Sequence, residues 1–468
     1  MNYYFLGIGG IGMSAIARYM KRAGHIVSGY DRTESPLTQQ LVAEGIDIHY
    51  EDDPSRLPES IDRVVYTPAV PADTLEFQAL RQRGVEMKKR SEVLGELTQG
   101  KRCIAVAGSH GKTTTTAMIA HLLHYTEAGC TAFLGGIAKN YDSNLIVSEG
   151  SDYVVVEADE YDRSFLHLHP HMAVITSTDP DHLDIYGTHA ELLKAFEQFA
   201  NQVDADGALI VKEGLVEHHG HEHEEEYEEE HHHLDIRTPG LATYTYSARS
   251  IEPDYYAINV RNYNGNLYFD LRTPERVVYD LQLTASCLYN VENAVAAAAV
   301  SLRCGLDEYQ LREGLKTFAG IRRRFDVRIK EKQLVYIDDY AHHPREIAAT
   351  LESVRYMYPD KRVVGIFQPH LYTRTRDLAD QFAEVLDSLD ETILIPLYPA
   401  REKPIAGVSS GLILRKMKSM SKYLCTPEEV PDLVAALYPD VVVTMGAGDI
   451  DRLVPTLERH LREDLLDQ

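Results

Sequence analysis

The chain has 468 residues, 44% of them hydrophobic and 25% charged, a length and composition that predict about three soluble globular domains. Its net charge of −25 argues against a nucleic-acid partner, because polyanion binders carry basic surfaces, and it requires any anionic ligand to be met by locally concentrated cations. The five cysteines are scattered, the start MNYYFLGIGG lacks a basic leader, and no apolar run reaches 18 residues, so the expected setting is the reducing cytoplasm with no membrane span.

In chain order, Tyr3–Leu6 reads as a strand, Gly7 to Gly12 as a turn, Ser14–Ala23 as a helix and His25–Tyr30 as a second strand. Gly7-x-Gly9-x-x-Gly12, with Gly10 inside it, sits between strand and helix, and Asp31 lies nineteen residues beyond Gly12. That spacing fits a loop that seats a pyrophosphate on a helix N-terminus, with an acid for a ribose hydroxyl. It fits a nicotinamide dinucleotide and a UDP-sugar equally well. The strand-helix alternation repeats weakly to residue 98 and predicts a Rossmann-like parallel sheet.

A second unit opens with the apolar run Arg102–Ala107, followed by Gly108-Ser109-His110-Gly111-Lys112-Thr113-Thr114 and a helix to His124. Glycines between a strand and a helix let backbone N–H groups approach phosphates. Lys112 is then placed for the β- and γ-phosphates of ATP, and the Thr113 hydroxyl for magnesium. The strict phosphate-loop pattern is not met, since Val106 stands at its first glycine. Strands are expected at Tyr153–Val156 and Ala173–Thr176; Glu157-Ala158-Asp159-Glu160 follows the first and Asp179-Pro180-Asp181-His182 the second. Acids at those strand ends suit a magnesium site, with His182 as a further ligand. Helices are expected at 188–201 and Leu288–Leu302, and strands at 207–212 and within 255–283. Glu217–His233, EHHGHEHEEEYEEEHHH, reads as a solvated surface insertion.

A third α/β unit begins near Ile321, with strands at Leu334–Ile337, Arg362–Phe367, Thr392–Ile395 and Val441–Thr444. Asp338 to Pro344 follows the first, Gln368-Pro369-His370 with Arg374 the second, and Gly446-Ala447-Gly448-Asp449 the last. All three lie at carboxyl ends of strands, where open α/β sheets bind ligands. Arg322-Arg323-Arg324 is the local positive charge that the acidic composition requires.

Taken together, GIGGIGMS, GSHGKTTTT, VVVEADEYDRSFL, DPDHLD, LYNVENAVAAAA, RRRFD, DDYAHHP and QPHLYTRTRD resemble the Mur ligase family, over the whole chain except 217–233. The resemblance implies three domains, 1–98 for a UDP-sugar, 99–320 for ATP and 321–468 for the amino acid and ATP. It implies an ATP- and Mg2+-dependent, ADP-forming amide ligase that joins L-alanine to UDP-N-acetylmuramate; the tripeptide-adding branch of the family is the alternative. Residue by residue, it places Gly9, Gly10, Gly12 and Asp31 on the UDP moiety, and Lys112 and Thr113 on ATP and magnesium. Glu157 and His182 fall on metal, Asn290 and Asn293 on adenine, Arg324 on a phosphate and Asp338 on the ATP ribose. Tyr340, His342, His370 and Arg374 fall around alanine and the reacting phosphate, with Lys112, His182, His342 and Arg374 as the catalytic set. Three positions depart from the family pattern: Tyr289 for a histidine, Leu371 for an arginine and Ser177 for an asparagine. Assembly stays open, a homodimer being one form.

Overall fold

The computed structural model describes all residues but 181–182, 217–232, 264, 285–286, 401 and 468; His182 and nearly all of the acidic insertion therefore lie outside the described residues. Among the described residues the architecture is α/β with three sheets. The first is wholly parallel, in the order β3-β2-β1-β4-β5, from β1 (Asn2–Leu6), β2 (Ile26–Tyr30), β3 (Asp47–His49), β4 (Arg63–Tyr66) and β5 (Glu86–Lys89). The helix Ile11–Arg22 follows β1 because Met13, Ile16, Ala17 and Met20 recur at helical spacing and are all buried. Gly24, at φ +85°, ends it by turning the chain into β2.

The second sheet has ten strands, β15-β14-β13-β12-β11-β10-β6-β9-β7-β8. They are β6 (Arg102–Ala107), β7 (Thr131–Ala138), β8 (Ser143–Val147), β9 (Tyr153–Glu157), β10 (Met172–Ile175), β11 (Ala208–Lys212), β12 (Ala242–Ser247), β13 (Tyr255–Tyr263), β14 (Asn266–Arg272) and β15 (Val277–Leu283). β6 lies between β9 and β10, so the acidic ends of two strands flank the loop that leaves β6. The helix Lys112–His124 is buried from Thr113 through Leu123, as a helix packed on all sides must be. The hairpin β7–β8 was not expected, since Gly135 and Gly136 break its apolar pattern.

The third sheet runs β16-β17-β21-β18-β19-β20, from β16 (Asp326–Lys330), β17 (Val335–Asp339), β18 (Val363–Phe367), β19 (Glu391–Leu394), β20 (Lys422–Leu424) and β21 (Val441–Met445). β17, β21 and β18 are parallel neighbours although far apart in sequence, which brings the loops after them together.

The chain forms two compact units: Met1–Ile258 with Asp270–Leu281 and Glu292–Thr317, and Asn259–Phe269 with Gln282–Val291 and Phe318–Gln468. The first unit holds both the first sheet and the body of the second. One hydrophobic core joins them, running from Phe5, Ile16 and Met20 to Phe133, Phe165 and Phe199. Tyr19 and Phe133 meet with ring centroids 5.3 Å apart, a pair worth about 1 kcal/mol beyond its buried area. A polar network locks the same junction. The Arg18 guanidinium donates to Glu44 and to Asn144, and the Asn144 amide donates to Ile11 O (2.6 Å) and Ser14 Oγ (2.8 Å). Among the described residues, no helix is long and apolar enough to cross a membrane.

Candidate functional site

In the first unit, the loop after β1 closes on itself. Asp31 accepts from Gly9 N at 2.8 Å through Oδ2 and from Thr33 N at 3.0 Å through Oδ1. The acid expected to face a ribose hydroxyl is thus engaged in shaping the glycine loop. Gly12 approaches the Arg90 guanidinium so closely that a Cβ there would lie 2.7 Å from Nη1. Arg90 in turn donates to Asp159 Oδ2 at 3.2 Å, and the neighbouring Lys89 donates to Asp162 Oδ2 at 2.8 Å. A cation therefore stands between the first glycine loop and the acidic segment after β9. Arg90 lies in no recognisable motif, and nothing in the sequence signals it.

The second loop leaves β6 with Gly108 at φ +131°, where a Cβ would run into Thr176 Oγ1 and Ser177 N, so only glycine fits. Ser109 N donates to Ser177 O (3.1 Å), His110 N to Ser177 Oγ (2.9 Å) and Ser109 Oγ to Asp179 O (2.7 Å). Thr176 Oγ1 donates to His110 O. Ser177, one of the departures, thus holds the loop by its hydroxyl. Gly111, left-handed at φ +83°, starts the helix that carries Lys112, Thr113 and Thr114. Asn293 stands beside this turn: its Oδ1 accepts from Thr115 Oγ1 at 3.2 Å. β6 pairs Val106 with Glu157, which sets that carboxylate alongside the root of the loop.

Lys112 Nζ donates to Gly108 O at 2.6 Å and to Glu160 Oε1 at 2.9 Å, with Glu160 Oε2 also at 2.9 Å. The Glu160 side chain is fully buried, and Tyr186 Oη donates to its backbone carbonyl at 2.6 Å. Burial works against the Lys112 ammonium, but the carboxylates of Glu160, Glu157 and Asp159 outweigh it and hold its pKa above the ordinary value. Glu160 was legible only as one more acid in the EADE run; its pairing with Lys112 required the fold.

In the second unit, β17 extends through both aspartates, which the sequence placed after the strand. Each carboxylate is satisfied inside the sheet, and that lets the strand continue. Asp338 is 2% exposed; Thr444 Oγ1 donates to its Oδ1 (2.8 Å) and Arg323 Nε stands 3.5 Å from its Oδ2. Burial raises its pKa to about 6 against the pull of Arg323 and Thr444. The Asp338 carboxylate, expected at the ATP ribose, faces Arg323. Asp339 accepts from Phe325 N (2.8 Å), Ala341 N (2.7 Å) and Tyr289 Oη (3.1 Å). Tyr289, the second departure, thereby anchors the start of the helix Leu288–Arg303, in which Asn290 is buried.

The loops after β17, β18 and β21 meet as expected. Arg323 and Arg324 lie over the Tyr340 ring at 5.2 and 5.0 Å, and Arg323 Nη2 donates to Gly446 O at 2.6 Å. The rings of Tyr340 and His342 stand 5.3 Å apart, those of His342 and His370 6.0 Å, and His370 stacks on Tyr398 at 5.8 Å. Arg374 Nη1 lies 3.5 Å from His370 Nδ1. Leu371, the third departure, has φ +70° and donates its N–H to Tyr398 O at 3.0 Å, which turns the chain so that Arg374 faces His370. Tyr398 was missed because it belongs to the segment after β19, outside every motif.

Burial lowers the His342 pKa, and burial, the neighbouring His342 imidazole and the Arg374 cation lower that of His370 to about 4. Both imidazoles are neutral at pH 7. His370 is expected to titrate near pH 4 in an imidazole 1H–15N spectrum, and a midpoint near 6.5 would contradict the burial argument. The sign for stability follows: between pH 6.5 and 4 the unfolded chain takes up the proton first, so the His370 contribution falls on acidification.

A lysine-bearing glycine loop that leaves β6 between β9 and β10, beside a second glycine loop, has the form of a site for phosphorylated ligands. The chain belongs to the Mur ligase family, ATP-dependent enzymes that form amide bonds with release of ADP: residues 2–102 match its catalytic-domain model, 106–301 its middle domain and 323–448 its glutamate ligase domain. The UDP-N-acetylmuramate–L-alanine ligase of Parabacteroides distasonis is 49% identical over 98% of this chain and 96% of its own length. The enzyme of the same name from Porphyromonas gingivalis W83 is 46% identical over 98% of each. Among solved structures, UDP-N-acetylmuramate-alanine ligase MurC of Thermotoga maritima superposes with a TM-score of 0.82 at 26% identity, covering 99% of this chain and 100% of that one.

Proposed function

We propose that this chain joins L-alanine to the lactyl carboxylate of UDP-N-acetylmuramate in the cytoplasm, consuming ATP and releasing ADP and phosphate, in the synthesis of peptidoglycan precursors. The observation that carries the reading is the arrangement within the first unit: a pyrophosphate-type glycine loop and a phosphate loop, bridged by Arg90 between Gly12 and Asp159. Full-length relatives that carry the alanine ligase name support the choice of substrates. Residues 1–98, 99–320 and 321–468 serve as the UDP-sugar, ATP and amino-acid modules.

A carboxylate oxygen of the sugar nucleotide attacks the γ-phosphorus of ATP, and the bond to the β-bridging oxygen breaks, giving an acyl phosphate and ADP. The alanine amine then attacks the acyl carbon, and phosphate leaves with the former carboxylate oxygen. The first step brings two anions together, so Lys112 on the β- and γ-phosphates provides essential charge. The hydroxyl of Thr113 and the carboxylate of Glu157 are hard oxygen donors that suit Mg2+, which supplies further neutralisation of phosphate charge when bound. The backbone of Gly108 to Gly111 and Thr114 cradle the phosphates, while Asn290 and Asn293 meet the adenine. In the amino-acid module, neutral His342 and His370 present no positive charge to alanine's ammonium. Arg374 remains as the cation for its carboxylate, and Arg324, held on Tyr340, for the phosphate leaving group.

ADP formation with UDP-N-acetylmuramate and a panel of amino acids tests the assignment. L-Alanine is expected to give the highest rate, with none in the absence of the sugar nucleotide. A tripeptide ending in a diamino acid as the better substrate would transfer the chain to the recycling branch of the family.

A further inference from the structure

The three N–H donors of the Lys112 ammonium have three oxygens within reach: Gly108 O at 2.6 Å and the two Glu160 oxygens at 2.9 Å. Two of these donors are hydrogen-bonded, to Gly108 O and Glu160 Oε1, which leaves one for a phosphate. A lysine that is to bond both the β- and the γ-phosphate needs two donors and must release one of these acceptors. Gly108 O is fixed by the loop backbone, whose geometry excludes any Cβ, so the acceptor to be released is the carboxylate. Glu160 is itself held for this position: its backbone carbonyl receives the Tyr186 hydroxyl, and its side chain is fully shielded from water. Two anionic oxygens on one ammonium, in a shielded cradle, reproduce the contact that two phosphate oxygens would make.

We propose that Glu160 is a positioning residue that stands in for ATP: it holds Lys112 in place, and nucleotide binding exchanges the carboxylate for phosphate oxygens. The inference rests on the reading of Gly108–Thr114 as the ATP loop. Its consequence is a built-in competitor. The carboxylate keeps Lys112 preorganised and lowers the affinity for ATP.

Glu160→Gln retains the shape and removes the charge. Calorimetric titration with ATP and magnesium chloride, with no sugar nucleotide or alanine present, is expected to give a Kd about tenfold lower than that of the parent chain, the scale of one charge-assisted hydrogen bond no longer broken on binding. In a Lys112→Met background the same change is expected to leave Kd within about twofold, since the contact to be exchanged is already gone. Glu160→Asp, which keeps the charge but shortens the reach, is the second variant and should move Kd in the same direction by a smaller factor. An unchanged or weakened affinity in both variants overturns the proposal, as does an equal gain in the Lys112→Met background, which would mark Glu160 as a simple repulsive charge. If Lys112→Met alone binds ATP as tightly as the parent, the loop assignment fails and the proposal with it.

Discussion

Lys112→Ala is expected to lower kcat by at least a thousandfold, about 4 kcal/mol in the barrier, the scale of losing a preorganised charge that acts on the transition state. The variant also removes the ammonium that neutralises the buried Glu160 carboxylate, so its thermal midpoint should fall. Combining it with Glu160→Gln should restore the midpoint and leave turnover abolished. That pattern separates the chemical role of Lys112 from its structural one. Steady-state ADP release and differential scanning calorimetry on the single and double variants are sufficient; near-normal ADP release by the single variant would remove Lys112 from the mechanism.

The second large effect lies in the other unit. Asp339→Ala leaves the Phe325 and Ala341 N–H groups and the Tyr289 hydroxyl without their common acceptor. At about 1–3 kcal/mol for each buried donor so stranded, the loss is about 4 kcal/mol even with partial relaxation. Calorimetry should show a lowered transition. Tyr289→Phe removes one of the three contacts and should cost about 1 kcal/mol. A full-sized loss from Tyr289→Phe, or none from Asp339→Ala, would contradict this account of how the Phe325–Ala341 segment is held.

Which parts of the site were legible follows from how local each signal is. Strand, glycine turn and helix are neighbours in sequence, so both loops could be read with their helices, down to Lys112 at the start of the second. The edge formed by His342, His370 and Arg374 was also anticipated, because each follows an apolar run that could only be a strand of a parallel sheet. Arg90, Glu160 and Tyr398 were not. Each acts through a partner that is remote in sequence or reached only after a turn: Gly12 and Asp159, Lys112, and His370. Asp31 and Asp338 were read as contacts to the UDP moiety and to the ATP ribose, and nothing in the sequence signalled their partners inside the fold. In the structure their carboxylates are engaged by Gly9 N–H and by Thr444 and Arg323.

The sequence by itself determined the fold class, the two glycine loops and the family, because glycine turns and apolar runs act over a few residues. Tertiary structure decided which charges meet. The packing of the first sheet on the second sets Arg90 between two loops, and the burial of Glu160 fixes Lys112. The adjacency of β17, β21 and β18 assembles an edge from segments more than a hundred residues apart. Charge pairing depends on distances in space and on the exclusion of water, and neither is written in the local order of residues.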